Sequence, residues 1–215
     1  MKKIAVVLSG CGHLDGAEIT ESVSTLITLS QLGADYQCFA PDREFPSVHH
    51  INKEPGSPRN ALAEAARICR GKVASLSRLK AEKFDGLVFP GGFGAALNLS
   101  DWGKNGSKGS VDPEVSALIS EFHQQSKPIC AICIAPTLIA KVLGDYSPHL
   151  TIGDDPEDAA EIQKTGAEHV ACKVNDFVTD RENKIVTTPA YMFDAKPHEV
   201  FTGIQSALKE FYEMA

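Results

Sequence analysis

Short apolar runs alternate with amphipathic segments along this chain, the signature of a parallel sheet covered by helices on both faces. The residues 4–8 read as a first strand, 35–40 as a second, 86–90 as a third and 128–132 as a fourth. Between the first two, spacing predicts a helix over 17–32, with Ile19, Val23, Leu26 and Ile27 as its buried stripe and Gly33 as its stop. A short helix over 59–70 places Leu62, Ala66 and Cys69 on one face. Asp112 is expected to cap a helix that carries Pro113 in its first turn and buries Val115, Leu118, Ile119 and Phe122. Further on come a short strand at 150–152, a polar helix over 156–165, and a hairpin joining 177–179 to 185–188. A last helix starts at Pro197 and buries Val200, Ile204, Leu208 and Phe211. The segments 41–57 and 98–110 read as surface loops. With no repeat and no long linker, residues 1–215 are expected to form a single three-layer α/β/α domain.

The fourth strand ends in chemistry. Lys127-Pro128-Ile129-Cys130-Ala131-Ile132-Cys133-Ile134-Ala135-Pro136 runs from an apolar strand into a helix with Leu138, Ile139, Val142 and Leu143 at helical spacing. Cys133 falls at the joint, with Ala131 and Ala135 two residues away on either side, which suits a crowded turn. This is a nucleophile elbow built around sulfur. The free amides of the following helix are expected to favour its thiolate.

The 215 residues carry a net charge of −7 with no basic block, which argues against nucleic acid or an anionic membrane as partner. The opening Met1-Lys2-Lys3 and the apolar Ile4–Leu8 run are too short for a signal peptide and pass straight into Ser9-Gly10-Cys11-Gly12. A cytoplasmic location is the expectation, or an organelle after removal of a targeting segment. Six cysteines are present, and their placement in strand-like runs favours small core residues in a reducing compartment.

Several motifs admit a second reading. Gly10-Cys11-Gly12-His13-Leu14-Asp15-Gly16 departs from the dinucleotide fingerprint, because its third glycine is one residue late and no acidic residue ends the second strand. Asp15 and Glu18 have capping-box spacing, with Asp15 as N-cap. Cys130 and Cys133 form C-x-x-C, but the first lies inside the strand, against a redox dithiol, and no matching pair supports zinc. In a doubly wound sheet the functional crevice lies at the carboxyl ends of the strands. Glu18, Gly91-Gly92 and Cys133 each follow such an end. His13 is the histidine nearest that point.

Three stretches, Ala131–Thr137, Pro90–Ala96 and Gly16-Ala17-Glu18, resemble the DJ/PfpI superfamily of flavodoxin-like, class I glutamine amidotransferase-like proteins. Leu8–Gly12, Leu150–Gly153 and Lys184–Tyr191 narrow the resemblance to the enhancing-lycopene-biosynthesis (ElbB) branch, whose bacterial members are glyoxalases. The resemblance implies that Cys133 is the nucleophile, Glu18 the carboxyl hydrogen-bonded to it, and the Gly92 and Ile134 amides the oxyanion-binding pair. Gly91, Phe93, His13 and Cys11 are the further pocket candidates. Where many members carry a histidine after the next strand, this chain has Gly153, which weakens protease and amidotransferase readings.

The expected function is therefore a cofactor-free, metal-free glyoxalase of lyase type, acting on glyoxal or methylglyoxal as a cytoplasmic homodimer. In that reading Glu18 moves the proton between the two carbons and has a raised pKa. The rival is a thiol sensor or binding protein that uses the same cysteine. A third reading, nucleotide binding, would show as affinity at residues 10–16.

Overall fold

A computed structural model describes residues 1–215. Eleven strands occur in chain order: β1 (Lys3–Val7), β2 (Asp35–Ala40), β3 (Glu44–Phe45), β4 (Arg59–Asn60), β5 (Val73–Ser75), β6 (Gly86–Phe89), β7 (Ile129–Ile132), β8 (His149–Leu150), β9 (Glu168–His169), β10 (Val178–Asp180) and β11 (Ile185–Thr188). Seven of them build the central sheet in the order β10-β11-β7-β6-β1-β2-β5. All neighbours are parallel except the hairpin β10–β11. The pairs β3–β4 and β8–β9 stand apart as small two-stranded ribbons.

The helices are α1 (Ile19–Gln31), α2 (Ala61–Ile68), α3 (Phe93–Leu97), α4 (Trp102–Asn105), α5 (Pro113–Gln124), α6 (Pro136–Leu143), α7 (Pro156–Gln163) and α8 (Pro197–Met214). Side chains alternate across the sheet because the strand period is two. Ala5 and Val7 of β1 join Val115, Ile119 and Phe122 of α5 and Leu138 and Ile139 of α6 in one core. Ile4 and Val6 face the other way, toward Leu29 of α1, Ala65 of α2 and Val200, Ile204, Leu208 and Phe211 of α8. Fully buried Phe122 and Phe211 anchor opposite layers, each contributing roughly 1.5–3 kcal/mol of apolar burial. This is the flavodoxin-like three-layer sandwich expected.

Local signals set the boundaries. Asp112 caps α5, its Oδ1 accepting the Glu114 and Val115 amides at 3.0 and 3.3 Å. Gly33 adopts a φ of +70° just past α1. The segment 98–110 is more ordered than a loop, containing α4 and a 3₁₀ turn at Gly106–Lys108. No helix is long and apolar enough to cross a membrane.

Two expectations about α1 are overturned. Ile19, Val23 and Ile27 lie on its exposed side, while Glu21, Ser22, Ser24, Thr25, Thr28 and Leu29 are buried. Small hydroxyl side chains let this face pack closely, and the helix satisfies some of them itself. Ser22 Oγ donates to the Glu18 carbonyl at 2.6 Å and Thr25 Oγ1 to the Glu21 carbonyl at 2.9 Å. Asp15 is not the N-cap; Glu18 is, its carboxylate accepting the Glu21 amide at 2.6 Å. The loop before it closes on itself, Gly12 N–H to the Ala17 carbonyl and Gly16 N–H to the Gly12 carbonyl. That closure delays the helix start and leaves buried Asp15 to accept the Val48 amide at 2.7 Å.

Candidate active site

Cys133 sits between β7 and α6 with a φ of +63°, a left-handed conformation that a residue with a Cβ adopts at a cost of roughly 1–2 kcal/mol. Its own amide donates to the Thr188 carbonyl at 2.9 Å, tying the elbow to the end of β11. The side chain is 7 % exposed at the floor of a cleft of about 320 Å³. Cys130, three residues earlier, is fully buried in the α8-side core, so the C-x-x-C spacing does not make a dithiol site.

The carboxyl bonded to the Cys133 thiol belongs to Glu21, not Glu18. Glu21 lies one helical turn further along α1, is fully buried, and its Oε2 and the Cys133 Cβ flank the same point beside Gly91. Its two oxygens accept the Gly91 amide at 3.0 Å and the Tyr191 amide at 3.3 Å. Burial and then the nearby Glu18 charge push its carboxyl up to about 8. Glu18 lines the cleft instead, and its carboxyl is also raised, chiefly by burial. The two acids expected in one residue are therefore separate, one under the sulfur and one on the cleft wall.

The amides of Gly92 and Ile134 are directed at the Cys133 sulfur and donate to no backbone acceptor. They favour the thiolate, but burial and the Glu21 charge outweigh them and hold the thiol well above its ordinary value. The expectation of a free thiolate at rest is thereby corrected. The resting pair is a thiol beside a carboxyl.

Backbone geometry admits only glycine beside the sulfur. Gly92 has a φ of +91°, and a Cβ there would meet the Gly16 carbonyl and the Glu18 amide. A Cβ on Gly91 would collide with Cys133 Cβ and lie 2.7 Å from Glu21 Oε2. Gly91→Ala is expected to lower unfolding free energy by about 1–3 kcal/mol through this overpacking, measurable by urea denaturation.

Of the further candidates, His13 and Phe93 line the cleft, with Phe93 half exposed. The His13 ring meets His50 edge-on, centroids 5.1 Å apart. Gly91 lies behind the wall, holding Glu21 with its N–H and accepting the Glu18 amide on its carbonyl at 3.0 Å. Cys11 does not line the cleft and lies toward Glu64 and Arg67 of α2. Asp158, Tyr191 and Met192 complete the lining, none of them singled out by sequence. Gly153, at a φ of +112°, brings no side chain to it. No cluster of three His, Cys, Asp or Glu side chains is placed to hold a metal ion.

A cysteine on a strained strand-to-helix turn, with a buried glutamate against it and free amides around it, defines a protein of cysteine-elbow α/β class. No family model matches the chain. It is 42 % identical over 99 % of its length to the human glutamine amidotransferase-like class 1 domain-containing protein 3, mitochondrial, and covers 83 % of that protein. It is 41 % identical to the rat ES1 protein homolog, mitochondrial, over 99 % of the chain and 84 % of the relative. A crystal structure of an isoprenoid biosynthesis protein with amidotransferase-like domain from Ehrlichia chaffeensis superposes with a TM-score of 0.93 at 36 % identity, covering 100 % and 99 % of the two chains. Drosophila melanogaster DJ-1beta shares the fold at a TM-score of 0.58 and 21 % identity, over 100 % and 90 % of the two chains. The chain belongs to the DJ/PfpI superfamily, alongside the ES1 and ElbB-like proteins. The cytoplasmic expectation is withdrawn, because the human and rat relatives and the zebrafish ES1 protein are named as mitochondrial.

Proposed function

We propose that this protein is a cofactor-independent glyoxalase that converts glyoxal or methylglyoxal to a 2-hydroxy acid on Cys133. The observation that carries the reading is the Glu21 carboxyl bonded to the Cys133 thiol, beneath a cleft with a second carboxyl on its wall. Once Glu21 has released its own proton, Cys133 sulfur adds to the aldehyde carbon as the thiol proton passes to the Glu21 carboxylate. The carbonyl oxygen, now negative, is held by the Gly92 and Ile134 amides. Glu18 takes the proton from the sulfur-bearing carbon and returns it to the neighbouring carbon, leaving a thioester of the 2-hydroxy acid. Glu21 gives its proton to the oxygen on that neighbouring carbon, and water then cleaves the thioester, releasing the acid and restoring the thiol. No amine leaves, so no histidine is required at the Gly153 position.

The cleft lining contains no lysine or arginine but does contain Glu18 and Asp158. Burial raises both carboxyls. An uncharged dicarbonyl suits such walls, whereas a carboxylate-bearing substrate would meet repulsion. The thiol-sensor reading uses the same residues, but rapid oxidation requires a readily formed thiolate, and burial works against it. The relatives' mitochondrial designation is carried over as the compartment of the proposed reaction. A homodimer is carried over from the superfamily, with sedimentation velocity as its check.

Incubation of the purified protein with glyoxal, without glutathione or metal, is expected to yield glycolate. Glu18→Gln is expected to reduce this turnover by about 10²-fold or more, because a carboxamide does not shuttle a proton. A Glu18→Gln variant at full activity would remove Glu18 from the mechanism. Wild-type protein that forms no glycolate while losing its Cys133 thiol to peroxide would favour the sensor.

A further inference from the structure

A second pair of thiols lies away from the Cys133 cleft, on the opposite side of β1. Cys38 belongs to β2 and is paired in register with Val6 on one side and Val73 on the other. Cys69 caps α2, its N–H donating to the Ala65 carbonyl at 3.2 Å and its carbonyl accepting the Lys72 amide at 3.0 Å. A left-handed turn through Arg70 and Gly71, with φ of +55° and +81°, then reverses the chain so that β5 lies beside β2. Both thiols are buried in the same apolar cluster, and each acts on the other. They share a cleft of about 630 Å³ whose walls include Leu26 and Tyr36 and whose rim carries the exposed Arg70 and Lys72.

Buried cysteines ordinarily serve as small hydrophobes. Here two of them meet at the floor of an open, cation-rimmed cleft large enough for a peptide-sized thiol. The geometry points to Cys38 and Cys69 as a redox-active dithiol that exchanges with carboxylate-bearing low-molecular-mass disulfides, of which oxidised glutathione is the probe. This function is independent of the chemistry at Cys133.

The exchange proceeds in two balanced steps. The Cys69 thiolate attacks one sulfur of the small disulfide, breaking its S–S bond and expelling one small thiolate, which water protonates. A mixed disulfide on Cys69 results. Cys38 then attacks the Cys69 sulfur and passes its proton to the departing sulfur, which leaves as the second small thiol. The protein pair loses two electrons and forms one S–S bond, and the small disulfide is reduced to two thiols. The order follows from access, since Cys69 at the end of α2 keeps 8 % exposure and Cys38 within β2 only 2 %.

The test treats the intact protein with oxidised glutathione, blocks remaining free thiols by alkylation, and maps peptides by mass spectrometry. A peptide joining Cys38 to Cys69 is expected, lost again on addition of excess reduced glutathione. The oxidised form is expected to melt at a higher temperature, because the new bond closes the chain between β2 and α2. Cys38→Ser is expected to leave glutathione trapped on Cys69, and Cys69→Ser to prevent adduct formation at Cys38. Oxidation by uncharged hydroxyethyl disulfide is expected to be several-fold slower at low salt, because it gains nothing from Arg70 and Lys72. The proposal is overturned if wild-type Cys38 and Cys69 both remain alkylatable while Cys133 or Cys11 takes up glutathione. The wild-type map decides this even if a serine variant fails to fold.

Discussion

Cys133→Ala is expected to bring the proposed glyoxal turnover down to the uncatalysed background, a loss of roughly 10⁴-fold or more. The Cys133 sulfur lines the cleft, and the Gly92 and Ile134 amides are directed at it. Removing it leaves binding without a covalent intermediate. Alanine keeps the Cβ and the left-handed φ of +63°, so the variant is expected to stay folded, with near-unchanged circular dichroism. Measurement of glycolate release against an enzyme-free control decides the matter. Activity within tenfold of wild type would mean that the chemistry takes place elsewhere.

The sequence announces some of this site plainly and conceals the rest for a definite reason. The apolar β7 run, Pro136 at the start of α6 and the small residues around Cys133 all pointed to an elbow, and the chain turns there. Gly91-Gly92 after β6 was equally legible, because only glycine tolerates that approach to the sulfur. The resemblance points to Glu18 at the N-cap of α1 as the partner carboxyl, one turn ahead of Glu21. Hydrophobic periodicity placed Ile19, Val23 and Ile27 inside, which turns Glu21 outward; the structure rotates the helix the other way. The signal that identifies the true inner face is steric. Glu21, Thr25 and Thr28 recur at helical spacing with Ser22 and Leu29 beside them, a face of mostly small side chains that close packing can accept. Asp158 and Tyr191 reach the cleft from distant segments, so no local pattern marks them. The edge strand β5 has only three residues, too few for any periodicity to register.

Glu21→Gln is expected to change both the rate and its dependence on pH. In the proposed mechanism the reactive form holds one proton between the Cys133 sulfur and the Glu21 carboxyl. Burial of Glu21 delays the first proton loss to about pH 8, so turnover is expected to climb with pH and level off above that value. Glutamine keeps the shape and accepts one of the two amides, but takes no proton from the thiol. The rate is expected to fall by about 10²–10⁴-fold, and the limb near pH 8 to disappear. Stability carries the same signature with a definite sign. A carboxyl whose folded value lies near 8, against an ordinary 4.5, holds a proton in the native state that the unfolded chain has already released. The Glu21 contribution to unfolding free energy therefore declines as pH rises from about 4.5 to about 8 and is flat beyond, on the order of 5 kcal/mol in total. Glutamine has no such proton, so the variant is expected to overtake wild type in stability toward the alkaline end of that window. Thermal melts of both proteins across the range test it. Parallel stability curves, or an unchanged rate profile, would show that Glu21 does not share the Cys133 proton.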